Sequence, residues 1–371
     1  MEPQIRGQAP ADPGVGPRKT QGVVPVSGLG LKLKLQSRRQ PYDRATVSRN
    51  VFFLHPGYPD GHNFLLSFPA FDSGGVHHAT AHVACAILAD CRWDGYLSLT
   101  PDGPRLPESS LAHDDILIHD KYYFCLKYPV VPSFDNFKFP SSLPPSWLPD
   151  ANCLPRIEPA TSDKVPVRDE TCRITCSSSP YEIAHIVPVK EAKWWRENAM
   201  FSHTPKPSDS MDTNCPENAM LMRKDIHYLW DTHKFAIVLK AGKWVLYVLE
   251  NSTTDKLREK YHNLETQRLS KVARQFLFAR FALAILNQQA LFMKQGHACT
   301  LRVITDGMQK TMELSGDKVR SKFGPSNAKS GSRSPTKRPR STTRDNDALD
   351  RDDTEPLLTK ELDEDDELTR L

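Results

Sequence analysis

Two polar side chains, His227 and Asp231, could act together because they lie four residues apart in a segment with helical character, "NAMLMRKDIHYLWD". On a helix, residues at this spacing project from one face, one turn apart. A neutral imidazole beside a carboxylate supplies half of a divalent-metal site. The alternative is an ordinary pair on the helix surface, in which the histidine is hydrogen-bonded to the aspartate.

Two residues further upstream extend this pattern. Asn218 precedes His227 at the point where the helix is expected to begin. His185 lies in the apolar segment "EIAHIVPV", which is typical of a strand and is interrupted by Pro188. A polar loop separates the two segments. The sequence therefore predicts a strand, a loop and a helix that carry His, Asn and His in that order.

This arrangement resembles the HNH nuclease family, whose core is a ββα-metal fold. The likeness is closest to a subfamily common in fungi, and it rests on several spacings that agree together. The matching segments are "CRIT" (172–175), "EIAHIVP" (182–188), "WWRENAM" (194–200) and "ENAMLMRKDIHYLWDTHKF" (217–235).

The resemblance implies an endonuclease that hydrolyses phosphodiester bonds in nucleic acid, with DNA as the expected substrate. It implies that His185 is the general base and that Asn218 positions it or joins the metal. His227 and Asp231 are expected to bind one divalent cation. Mg²⁺ is the first expectation because it readily keeps several waters, and Mn²⁺ and Zn²⁺ stay open.

One position departs from the family pattern. Many members carry Asp or His, as a metal ligand, immediately before the base, and this chain has Ala184 there. An alternative function follows from this departure: a catalytically inactive HNH scaffold that binds nucleic acid or protein.

Three cations near the helix are candidates for phosphate contacts: Arg223, Lys224 and Lys234. The alternative is ordinary surface charge on the helix. Asp225 is expected to pair locally, because it is two residues from His227 and points to another side of the helix.

The chain as a whole is predicted to have an α+β fold, in which a C-terminal helix covers the HNH core. Residues 1–45 are expected to be disordered because they are rich in Pro, Gly, Gln and Arg. An α+β region of unknown role follows at 46–132, then a Pro-rich linker at 133–167. The HNH domain is placed at 168–300, and a mostly disordered tail, first basic and then acidic, at 301–371.

The composition favours an intracellular protein without a membrane partner. The net charge of +4 is too small to indicate a partner, and the eight cysteines have no regular spacing. No apolar signal segment occurs in the first 30 residues. The apolar stretch 276–292 is expected to be a core helix rather than a membrane span, because it contains Arg280 and Asn287.

The tail contains one candidate targeting segment. "SPTKRPRS" carries Lys337, Arg338 and Arg340, which nuclear import machinery could bind. The alternative is a solvated basic segment with no targeting role.

Overall fold

The computed structural model describes residues 49–106, 114–148, 165–205, 212–251, 256–288 and 290–324. The segment expected to be disordered at 1–45 lies outside the described residues. The predicted tail at 301–371 is described only as far as residue 324. The candidate import segment with Lys337, Arg338 and Arg340 and much of the predicted linker also lie outside the described residues.

The first region combines strands with one buried helix. Its elements are β1 (Asn50–Leu54), β2 (Phe64–Pro69), β3 (Val76–His77), α1 (His78–Leu88), β4 (Tyr96–Ser98), β5 (Ile116–Leu117) and β6 (Lys121–Cys125). Four of them form a sheet in the order β2-β1-β6-β4, and β3 pairs with β5. The helix α1 forms at the predicted place, where small and apolar residues recur at helical spacing.

The second region mixes helices and strands. They are α2 (Val165–Asp169), β7 (Tyr181–His185), α3 (Ala192–Glu197), β8 (Ala219–Arg223), α4 (Lys224–Asp231), β9 (Phe235–Lys240), β10 (Lys243–Val248), α5 (Lys256–Tyr261), β11 (Leu264–Glu265), α6 (Arg274–Gln288) and α7 (Ala290–Lys294). β7 pairs with β8, and β9, β10 and β11 form a three-stranded sheet. The expected hairpin turn between β9 and β10 is present, with Gly242 at a φ of +73°.

Three local predictions in this region were wrong. The segment 218–230 is not one helix, because Ala219–Arg223 forms β8 and the helix begins at Lys224. Its Ala, Met and Leu residues favour a helix, but pairing with β7 and burial override that preference. Residues 256–294 form several elements rather than one long helix, and "CRIT" lies in a turn rather than a strand.

Ordered structure continues past residue 300, where the sequence predicted the start of a mostly disordered tail. The hairpin of β12 (Cys299–Thr305) and β13 (Met308–Leu314) is followed by α8 (Gly316–Phe323). Alternate residues of β12 are buried, including Leu301 and Val303. Val130 of the first region donates to Thr300 O (3.0 Å) and accepts from Arg302 N (2.9 Å), so β12 is joined to the first region.

One hydrophobic cluster runs through both regions. The described part of the predicted linker contributes to it: Trp147 is 2% exposed and its ring stacks on Phe281 of α6, with centroids 5.8 Å apart. Phe134 packs on Trp194 of α3, with ring centroids 4.4 Å apart. These aromatic contacts join the described part of the predicted linker to α6 and α3.

The apolar stretch around α6 is buried inside this core. By length and composition alone, the span Arg274–Lys294 could cross a membrane, but 81% of its most apolar window is buried within the protein. Its interior positions pack against β9 and α1. The helix α6 is therefore part of the core, as the sequence predicted.

A buried carboxylate, Asp72, links the first region to the second. Its Oδ2 accepts hydrogen bonds from Tyr247 Oη (2.7 Å) and from the main-chain N–H of His77 (3.0 Å). Its Oδ1 accepts from Asn263 Nδ2 (2.8 Å), contacts His262 Nε2 (3.2 Å), and pairs with the ammonium of Lys240. The side chain is 1% exposed, so this network replaces its hydration shell.

Acid is expected to destabilise the fold through His55. His55 is buried between Tyr58 and Tyr128, whose ring centroids lie 4.5 and 4.3 Å from that of the imidazole. This burial lowers the pKa of His55 to about 4. Since an unfolded histidine titrates near pH 6.5, the unfolded chain binds the proton more readily. The free energy of unfolding should therefore fall as pH decreases from about 6.5 to about 4.

Urea denaturation across this pH range measures the effect. His55→Gln should reduce the slope of unfolding free energy with pH, by up to about 1.4 kcal/mol per pH unit. His119, an exposed histidine of the same region, provides the control variant His119→Gln. An unchanged slope in His55→Gln would contradict this assignment.

Candidate active site

Two antiparallel strands and the following helix form the frame of the site. β7 pairs with β8 in a register that places Glu182 opposite Met222, Ala184 opposite Met220 and His185 opposite Ala219. β8 passes directly into α4, which packs against both strands. Since side chains alternate along a strand, Glu182 and Ala184 share one face and His185 projects to the other.

His227 and Asp231 meet on one side of α4, as the spacing predicted. His227 Nε2 lies 3.4 Å from Asp231 Oδ2, and the His227 side chain is 20% exposed. The other ring nitrogen, Nδ1, lies 3.0 Å from Glu182 Oε2 on β7. The helix and the strand are thus connected through the imidazole of His227.

His185 ends β7 and is held by two contacts. Its ring nitrogen Nε2 donates to Oδ1 of Asn214, at 3.0 Å. Its main-chain carbonyl accepts from Trp230 Nε1 of α4, at 2.9 Å. Because Asn214 occupies Nε2, the lone pair of the neutral ring lies on Nδ1. Within the described ranges, no hydrogen bond joins the His185 ring to His227 or Asp231.

Asn218 is completely buried and organises the chain around His185. Its side-chain Oδ1 accepts from Val187 N (2.8 Å), and its Nδ2 donates to Val187 O and Thr213 O (both 2.9 Å). Its main-chain carbonyl also accepts from Ile186 N at 2.8 Å. These bonds hold the segment after His185 beside the loop that carries Asn214.

The amide of Asn218 therefore contacts backbone groups and not the imidazole ring. The sequence predicted that this amide acts on His185 or joins the metal. Both of its N–H donors are used inside the protein, and the direct partner of the His185 ring is Asn214.

Arg280 places a buried cation from α6 beneath the site. The side chain is 1% exposed, and its guanidinium lies 4.4 Å from the Trp230 ring. It donates to the carbonyl of Trp230, and its Nη2 lies 3.8 Å from Asp231 Oδ1. Burial lowers the pKa of Arg280 to about 10, against the opposing effect of Asp231 and Glu191. Its position leaves Asp231 Oδ2 directed at His227.

The three predicted phosphate contacts each have an acidic neighbour. Arg223 forms a two-pronged bond with Asp225, at 2.6 and 2.7 Å, so Asp225 pairs locally as expected. Lys224 Nζ lies 3.3 Å from Glu182 Oε1. The ammonium of Lys234 pairs with Glu250. Contact of these cations with nucleic acid stays a prediction.

The donor atoms of His227 and Asp231 fit a shared cation. Two ligand atoms about 2.1 Å from an ion are separated by about 3 Å at a right angle and about 3.4 Å at the tetrahedral angle. The separation of 3.4 Å agrees with this range. Over the described ranges, however, no three His, Cys, Asp or Glu side chains form a ready metal cluster. Waters and a substrate phosphate would have to complete the coordination.

The structure places four residues at this site that were not assigned to it from the sequence: Glu182, Asn214, Trp230 and Arg280. Glu182 could have been found, because it precedes Ala184 by two residues and so lies on the same strand face. Arg280 was detectable as the single charged residue of the apolar stretch 276–292. The bond between Asn214 and His185 depends on how the loop folds, and no spacing in the sequence indicates it.

Comparison with known proteins supports the family resemblance for this part of the chain. Residues 172–238 match the family model described as HNH endonuclease. The matched range contains β7, β8 and α4, together with His185, Asn218, His227 and Asp231. No curated protein and no solved structure matched the chain.

Proposed function

We propose that this protein is a metal-dependent endonuclease that hydrolyses phosphodiester bonds in DNA. The observation that supports it best is the joining of β7, β8 and α4: the antiparallel strand pair carries His185, and the helix after it carries His227 and Asp231, whose Nε2 and Oδ2 atoms are 3.4 Å apart. The family match over 172–238 points to nucleic-acid cleavage.

His185 is the proposed general base. Its Nδ1 has the free lone pair, because Nε2 donates to Asn214, and Nδ1 takes the proton from the attacking water. Trp230 holds the main-chain carbonyl of His185 and Asn218 holds the backbone of Val187 two residues later, so the end of β7 is fixed, while Asn214 orients the ring.

His227 Nε2 and Asp231 Oδ2 are the proposed metal ligands. The chemistry that a bound divalent cation supplies is stabilisation of the negative charge on the leaving 3′ oxygen. Mg²⁺ suits two protein ligands because it keeps several waters, and Mn²⁺ and Zn²⁺ are the alternatives. Arg280 holds the second oxygen of Asp231 in place. Arg223, Lys224 and Lys234 are the proposed contacts to the phosphate backbone.

A second candidate function is a binding module that keeps the scaffold without turnover. Ala184 favours it, because this position is completely buried and supplies no ligand. Cleavage of supercoiled plasmid by the full chain, with Mg²⁺, Mn²⁺ or a chelator, separates the two. Nicking that the chelator abolishes supports the nuclease. Binding of DNA by the full chain, without cleavage in the presence of any of these metals, would support the binding module.

Replacing Asp231 by asparagine is expected to weaken Mn²⁺ binding by at least about 10-fold, because the substitution removes a charged ligand. Calorimetric titration of the full chain measures it. Asp225→Asn is the matched control, since Asp225 is an aspartate of the same helix that pairs with Arg223. An equal loss of Mn²⁺ affinity in both variants, or no loss of affinity in either, would contradict the assignment of Asp231 as a ligand.

A further inference from the structure

Glu182 is an exposed strand glutamate that bridges two residues of α4. Its Oε2 lies 3.0 Å from His227 Nδ1, and its Oε1 lies 3.3 Å from Lys224 Nζ. Each carboxylate oxygen therefore faces its own partner. The His227 hydrogen bond, followed by that of Lys224, lowers the pKa of Glu182.

The imidazole of His227 lies between two carboxylates and, when neutral, has one N–H to donate. The contact with Glu182 is 3.0 Å, within the usual range for an N–H···O hydrogen bond, whereas the contact with Asp231 is 3.4 Å and beyond it. The shorter contact takes the proton, so Nδ1–H donates to Glu182. The lone pair of Nε2 is then directed at Asp231 Oδ2.

We propose that Glu182 is a positioning residue that fixes the tautomer of His227, so that Nε2 is available to a divalent cation shared with Asp231. The inference rests on the proposed metal site and assigns to it a residue that acts through the ligand. Carboxylates in this role hold a metal-binding histidine in one orientation and raise its basicity. Lys224 in turn orients the carboxylate of Glu182.

The position of Glu182 also matters for Ala184, where many family members carry a metal ligand and this chain does not. Glu182 occupies the same strand face two residues earlier, so the face retains an acidic group although position 184 does not. Direct ligation by Glu182 is the competing arrangement. It is disfavoured because both oxygens already have donors and because no three-residue ligand cluster occurs in the described residues.

Two measurements on the full chain test the proposal, with Glu182→Ala as the variant. Nitrogen NMR of the His227 ring, without metal and above the pH range of histidine titration, reports the tautomer. We expect the proton on Nδ1 in the wild type and its transfer toward Nε2 in Glu182→Ala. Calorimetry should show Mn²⁺ binding weakened by about 10- to 100-fold.

Glu265→Ala is the matched control, because Glu265 is also an exposed strand glutamate paired with a lysine, Lys243, at 2.7 Å. It should leave both measurements unchanged. A wild-type ring protonated on Nε2, or wild-type affinity in Glu182→Ala, would overturn the proposal. Weaker binding with an unchanged tautomer would also overturn it and would indicate direct ligation.

The failure of the proposed function has a different signature. In that case the wild type itself binds no Mn²⁺ and cleaves no DNA, whatever tautomer the metal-free ring adopts. If the wild type binds and cleaves while Glu182→Ala behaves like it, only the positioning role is overturned.

Discussion

Replacing His185 by alanine is expected to lower the rate of plasmid cleavage by about 10²- to 10⁴-fold, the usual contribution of a general base. The ring is the proposed acceptor for the proton of the attacking water. The substitution keeps the main-chain carbonyl that accepts from Trp230, so the end of β7 should stay in place. Initial rates at saturating Mg²⁺ measure the effect.

The matched control is His119→Ala, which removes an exposed histidine of the first region. It should cleave at the wild-type rate. Thermal melting of both variants checks that the fold is retained. Because His185 is not a proposed metal ligand, Mn²⁺ affinity should be the same in His185→Ala and the wild type. Cleavage at the wild-type rate in His185→Ala would refute the assignment of this residue as the base.

Replacing Asp72 by alanine should lower the free energy of unfolding by about 3–5 kcal/mol, the range for removal of one partner from a buried charge network. The change leaves the ammonium of Lys240 and the hydroxyl of Tyr247 without their carboxylate acceptor. Buried polar groups that lose a partner keep the full cost of desolvation. Urea denaturation at neutral pH gives the difference.

The pH dependence of Asp72→Ala follows from the direction of the pKa shift. Burial alone would raise the pKa of Asp72, but the hydrogen bond and charge of His262, with bonds from Lys240 and Asn263, hold it far below its usual range. A depressed carboxylate pKa gives stability that is present above the unfolded value near 3.9 and is lost as pH falls below it. The penalty of the variant should therefore shrink in strong acid.

Asp94→Ala provides the comparison for this prediction. Asp94 pairs with Arg92 in the same region at 2.6 Å, but both side chains are about half exposed. An exposed pair contributes less than about 1 kcal/mol. Losses of similar size in the two variants would show that the Asp72 network does not stabilise the protein as argued.

The residues that sequence reasoning located best are those whose position depends on local periodicity. The spacing of His227 and Asp231 predicted a shared helix face, and α4 provides it because one helical turn fixes the distance between them. The β9–β10 hairpin was also predictable, since its turn contains Gly242 between two apolar runs.

The residues that were missed depend on contacts between distant segments. β8 was predicted as helix because Ala219–Arg223 favours helix locally, and only pairing with β7 reveals the strand. The bond between Asn214 and His185 joins a loop to a strand. Asn218 was identified by family resemblance, but its contacts with Val187 and Thr213 required the folded chain.

The hydrogen bonds of Val130 with Thr300 and Arg302 have a consequence for dissection of the protein. They join chain from before the matched range 172–238 to chain from after it, and Asp72 does the same through Tyr247. The matched range therefore lies between two segments that contact each other in the folded chain. A fragment excised at the limits of the match would end inside β9 and would lose β10 and α6, which pack against that strand, so apolar residues buried in the full chain would be exposed to water.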